Sequence, residues 1–88
     1  MQPKVRFSNE ADDQLRELGL YIAQKNSARV AFRYIAAIVK TCYGLGLMPN
    51  RGNKRDDLLP GMRTFGFKHR VTICFRVQSA TVDIIAIL

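Results

Sequence analysis

Hydrophobic and polar positions follow two different periods along this chain, helical in the first half and strand-like in the second. Val5 to Phe7 is an apolar stretch long enough for one short strand. Ser8 or Asn9 then offers a side-chain oxygen suited to an N-cap, and Glu10, Asp12 and Asp13 place negative charge where a helix dipole favours it. Ala11, Leu15, Leu18 and Ile22 recur at helical spacing, which predicts a first helix over about 9–24, weakened at Gly19. Lys25-Asn26-Ser27 breaks that pattern, and Ser27 is placed to cap a second helix. Its stripe is Ala31, Ile35, Ile38 and Cys42, widened by Phe32, Val39 and Tyr43, with Arg29, Arg33 and Lys40 off its centre. Gly44 and Gly46 loosen the end of this helix, and Pro49 forbids its continuation. Two helices joined by three residues predict an antiparallel helical hairpin.

From Met48 to Gly61 the chain turns to Pro, Gly and charge, which predicts a surface loop. Met62 to Phe67 alternates, with Arg63, Phe65 and Phe67 on one face. Val71 to Val77 puts Val71, Ile73, Phe75 and Val77 on one face and Thr72, Cys74 and Arg76 on the other. Val82 to Leu88 is almost wholly apolar, as a strand buried on both sides would be. The links, Lys68-His69 and Gln78 to Ala80, are short, so these three strands form an antiparallel meander. The predicted fold is α+β, in the order β-α-α-β-β-β. A helical hairpin covers one face of an antiparallel sheet of three or four strands. The chain of 88 residues has room for one domain, spanning 1–88.

Charge changes the picture more than composition does. Hydrophobic residues make up 48% and charged residues 24%, ordinary globular usage. Fourteen Lys and Arg against seven Asp and Glu, however, give a net charge of +7, which calls for an acidic partner. No apolar run approaches the roughly eighteen residues of a membrane crossing, and the N-terminus lacks the apolar centre of a secretory signal. Cys42 and Cys74 are too few for a disulfide framework or a zinc site, and a lone His69 excludes a multi-histidine metal site within one chain. The expectation is a soluble cytoplasmic protein with reduced thiols and neither metal nor cofactor.

Nucleophilic catalysis finds little to work with. His69 is the only histidine and sits between Lys68 and Arg70 in a turn, and neither a G-x-S-x-G nor a P-loop pattern occurs. Asp12-Asp13 and Asp56-Asp57 are adjacent pairs, read here as solvated surface charge. The basic residues are more informative. Between 48 and 70 six cations, Arg51, Lys54, Arg55, Arg63, Lys68 and Arg70, face only Asp56 and Asp57, a local charge of +4. The meander is expected to bring Arg63 near Arg70 and Arg76 beside the basic loop. Such a cluster can grip phosphates or acidic side chains through charge-assisted hydrogen bonds. The competing expectation pairs Arg63 or Arg76 with Asp83 across the sheet.

The helix-one text FSNEADDQLRELGLYIAQ, the run LLPGMRTFGFKHRVTICFRV and the closing VDIIAIL, in this order of elements, resemble the RelE/ParE superfamily of bacterial toxins. The resemblance rests on Leu59-Pro60-Gly61, Arg63 to Phe65, Phe75-Arg76-Val77 and Val82 to Leu88, and covers nearly the whole chain. It implies the toxin component of a type II toxin–antitoxin system, with an inactive module of the same fold that binds antitoxin or nucleic acid as an alternative. One branch, RelE-like, consists of metal-independent, ribosome-dependent mRNA endonucleases, whose partners are the ribosome and mRNA. Thr72 stands where that branch commonly carries a catalytic Arg, and no tyrosine follows Tyr43. Lys54, Arg63, His69, Arg70 and Arg76 remain as its catalytic set, with His69 the one proton carrier.

The other branch, ParE-like, is associated with plasmid stabilisation and inhibits DNA gyrase by binding, with no catalytic residues of its own. The Arg-x-Phe-x-Phe and Phe-Arg-Val strands are closer to it. Under this resemblance the target-binding residues are Arg51, Lys54, Arg55, Arg63, Lys68, Arg70 and Arg76. Members usually continue past the last strand with a short polar or basic tail, whereas here that strand runs to Leu88. The resemblance also implies a cognate ParD-like antitoxin with an acidic C-terminal segment, held in a hetero-oligomer. An acidic amphipathic segment would offset the +7 charge and cover a strand edge or helix groove.

Overall fold

The computed structural model describes residues 3–88. Strand β1 (Lys4–Phe7) leads into helices α1 (Asn9–Lys25) and α2 (Ala28–Leu47), then strands β2 (Asn53–Lys54), β3 (Met62–Phe67), β4 (Val71–Val77) and β5 (Thr81–Ile87). Both helix starts are capped as their sequences imply. Ser8 Oγ accepts from the Ala11 N–H at 3.0 Å, and Ser27 Oγ accepts from the Val30 N–H at 3.1 Å. The Ser8 hydroxyl also donates to the Ile85 carbonyl at 2.7 Å, which pins the start of α1 to β5.

The sheet has five strands in the order β1-β5-β4-β3-β2. β3, β4 and β5 form the expected antiparallel meander, and two features extend it. β1 joins β5 in parallel, with Lys4 opposite Thr81 and Phe7 opposite Ile84, because the intervening hairpin returns the chain across the sheet. The stretch expected to be loop contributes β2, antiparallel to β3. α2 also runs through Gly44 and Gly46 to Leu47. At Gly46 a Cβ would lie 2.7 Å from Cγ2 of Val5, so the missing side chain is what lets α2 approach β1.

The core is one cluster. Ile38, Cys42 and Leu45 of α2 and Ala11 and Leu15 of α1 meet Ile73, Phe75, Val82 and Ile84 of the sheet. Expectation and structure differ in β5, which is not a strand with two equal apolar faces. Register jumps from Phe75–Ile84 to Cys74–Ala86, leaving Ile85 as the extra residue of a bulge. The bulge shifts the alternation, so Val82, Ile84 and Ile87 all reach the core. Cys74 and Ala86 are partners on the far face. α2 is also apolar enough, with a mean hydropathy of 1.3 over eighteen residues, to meet the length and composition of a membrane crossing, contrary to the first impression of its sequence. Its buried side lies in the core described above, and Arg29, Arg33 and Lys40 are exposed along it.

The helices pack chiefly on β5 and β1. The β2–β3 end of the sheet is therefore the least covered, and there the basic loop lies.

Candidate functional site

The basic residues that looked like one cluster in the sequence fall into separate places. Pairing of β2 with β3 sets Lys54 directly opposite Arg63, and Arg63 is also opposite Phe75 of β4. Cross-strand partners share a face, so Lys54 and Arg63 lie on the helix side of the sheet. Arg76 is opposite Met62 and Asp83 and lies on the reverse side. Arg63 and Arg76 thus sit at one end of the sheet but on its two faces. Arg70 does not join either of them. It lies at the β3–β4 turn with Lys68 and His69, beyond the Phe67–Val71 pair that is itself four strand residues, roughly 13 Å, from Arg63.

Each arginine at the loop end is held. Arg63 Nη1 donates to the Asn50 carbonyl at 2.9 Å, and Arg76 Nε donates to the Pro60 carbonyl at 2.9 Å. The Arg51 guanidinium lies 4.9 Å from the centre of the Phe65 ring, a cation–π contact that fixes it beside Arg63. Arg55 differs, since its Nε and Nη2 both donate to Asp57 at 3.1 Å. That bidentate hydrogen bond and the Asp57 charge raise the Arg55 pKa, while the bond from Arg55 lowers that of Asp57. Arg55 is thereby internally neutralised and leaves the set of open cations. Asp56 and Asp57 are more than solvated charge, because Asp56 Oδ1 accepts from the Gly61 N–H at 2.9 Å and so shapes the turn into β3.

Asp83 pairs with neither Arg63 nor Arg76. Arg6 Nε donates to it at 3.1 Å and Gln78 Nε2 at 2.6 Å. Burial pushes the Asp83 carboxyl up, but these hydrogen bonds outweigh it and hold the group below the usual carboxylate range.

Among the described residues, two of the cavities lie at the two ends of the β3–β4 hairpin. At the loop end an open cavity of about 210 Å³ is lined by Lys54, Arg63, Asn50, Asp56 and Gly61. At the turn end a larger one of about 430 Å³ is apolar, with Tyr21, Val30, Tyr34 and Val71 in its wall and Arg70 at its rim. Lys68 Nζ stands 5.8 Å from the Tyr34 ring and 5.5 Å from Phe67. Sequence reading missed this second site, because Tyr21 and Tyr34 meet Arg70 only through the tertiary fold. It missed the Lys54–Arg63 pairing because a two-residue strand carries no periodicity. The only signal was Gly52, whose φ of 82° is the sharp turn that admits β2.

Cations anchored in this way can grip phosphates or carboxylates through charge-assisted hydrogen bonds. His69 is exposed at the far end of the β3–β4 hairpin from Lys54, Arg63 and Arg76. The five residues of a nuclease-like set therefore do not converge on one reacting atom.

The sequence profile of the ParE toxin of type II toxin–antitoxin systems, parDE, matches residues 5–88. The chain belongs to the ParE toxin family. Within the RelE/ParE superfamily this places it on the ParE side. A solved chain described as a chromosomal ParDE toxin–antitoxin system from P. aeruginosa has the same fold. It is 21% identical, with a TM-score of 0.84 over 98% of this chain and 94% of the other. No curated protein sequence matches.

Proposed function

We propose that residues 1–88 act as a single cytoplasmic toxin domain that inhibits DNA gyrase by binding and is neutralised by a cognate antitoxin with an acidic segment. The observation that supports this is the loop-end surface, where Lys54 and Arg63 line an open cavity, Arg51 is held beside Arg63, and His69 lies at the far end of the β3–β4 hairpin. A binding inhibitor needs anchored charge and no proton relay. The ribonuclease alternative has less support, because its only proton carrier lies at the other end of the sheet. Arg76 contributes on the reverse face, and Lys68 and Arg70 belong to the turn-end site.

The test is a supercoiling assay with purified gyrase and relaxed plasmid. The intact chain is expected to block supercoiling and to yield linear DNA when the complex is denatured. A folded Lys54→Glu, Arg63→Glu double variant is expected to lose most of that effect. Unimpaired supercoiling beside rapid loss of mRNA on induction would replace this function with RNA cleavage. Full potency in the double variant would move the target contact away from the loop end.

A further inference from the structure

The outward face of the helical hairpin carries more exposed apolar surface than its packing on the sheet requires. Phe32 of α2 is 76% exposed and Leu20 of α1 is 61% exposed. They stand on the rim of an apolar groove of about 310 Å³ between the helices, with Leu15, Gly19, Ala23 and Ile35 in its wall. Charge on the same pair of helices is divided. α1 bears Glu10, Asp12, Asp13 and Glu17 against Arg16 and Lys25, with Arg16 Nη1 donating to Asp13 at 3.0 Å on the exposed surface, whereas α2 bears Arg29, Arg33 and Lys40 and no acid.

From this self-complementary division we infer that the helical hairpin is a two-fold interface with a second copy of this chain. A two-fold axis parallel to the helices sets α1 of one copy antiparallel to α2 of the other, acidic helix against basic helix. The register of the hairpin makes this specific. Gly19 touches Ile35, where a Cβ would lie 3.4 Å from Cγ1, so in the antiparallel pair Ala23 is about level with Phe32 and Asp13 about level with Lys40. A rotation about that axis keeps each residue at its level. It therefore seats the Phe32 ring of one copy in the groove of the other beside Gly19 and Ala23, and sets Asp13 against the partner copy's Lys40. Both contacts occur twice, as an isologous interface demands. A second copy supplies the acid-on-base pattern in the same register as the ring and its groove. The proposal does not depend on gyrase or on the antitoxin.

Sedimentation velocity on the full chain at about 0.15 M salt, from about 1 to 200 µM, reads the equilibrium. An interface of this modest size is expected to give a dissociation constant of order 1–100 µM. Phe32→Asp, at an exposed position that leaves the monomer folded by circular dichroism, should raise it at least about 30-fold, the effect of one interfacial hot spot. Asp13→Lys and Lys40→Asp should each weaken self-association, because each sets like charges against one another across the axis. Their equimolar mixture should dimerise again. In the mixed pair the introduced lysine of one variant meets the introduced aspartate of the other, and the native Lys40 of the first meets the native Asp13 of the second. A wild-type chain that is monomeric throughout overturns the proposal and leaves this face to a partner of different sequence. A dimer that survives Phe32→Asp, or a mixture that stays monomeric, overturns it as well.

Discussion

Replacing His69 by glycine tests how the β3–β4 turn is held. Lys68 and His69 have φ of 49° and 59°, and the Arg70 N–H donates to the Phe67 carbonyl at 3.1 Å. These are the features of a type I′ turn, which asks for glycine or asparagine at both central positions. An ordinary L residue in that region costs about 1–2 kcal/mol, and glycine costs about 0.5–1 kcal/mol of extra chain entropy on folding. The net gain for His69→Gly is therefore about 0.5–1 kcal/mol, a rise in Tm of roughly 2–8 °C for a chain of this size. Lys68→Gly relieves the same strain but removes the ammonium from the Tyr34 and Phe67 rings, a loss of about 0.5–1 kcal/mol at an exposed site. It should leave Tm nearly unchanged. Thermal denaturation followed by far-ultraviolet circular dichroism separates the two. If His69→Gly does not stabilise, or if Lys68→Gly stabilises equally, then the turn is not strained or the cation–π contacts contribute nothing.

Three further outcomes follow from the core and its charges. Ile38, wholly buried between the helices and the sheet, should lose about 2–5 kcal/mol on truncation to alanine, a large share of the roughly 4–13 kcal/mol expected for a chain of this length; urea denaturation measures this directly. Asp83 is held below its unfolded pKa of about 4, so its contribution is present above that pH and lost as pH falls through the folded value. Between about pH 5 and pH 2 the urea midpoint should fall less steeply for Asp83→Asn than for the wild type. Burial pushes the Cys42 thiol up to about 12 and raises Cys74 as well, so at about pH 8 the native chain should resist alkylation that proceeds readily in urea, as mass spectrometry would show.

The helical hairpin, its two serine caps and the three-stranded meander were all written in local pattern. Capping groups, period and turn residues act within a few positions of themselves, and no distant contact is needed to read them. The far-apart pairings were beyond such reading. The partner of β1, the bulge at Ile85 that brings Ile87 to the same face as Val82 and Ile84, and the two-residue β2 exist because particular backbones pair across long stretches of sequence. The same reason governs the site. Sequence alone determined that the chain is strongly basic, carries a single histidine and sets six cations against two acids between 48 and 70. Tertiary structure decided which of them act together, because a strand assigns neighbours to opposite faces and a hairpin sends residues seven apart, such as Arg63 and Arg70, to opposite ends. Arg55 left the set through a carboxylate two residues away, Arg76 through the alternation of β4, and Lys68, His69 and Arg70 through the length of the hairpin. Arg51, Lys54 and Arg63 remain together because β2 pairs with β3 and Asn50 and Phe65 hold the two arginines in place.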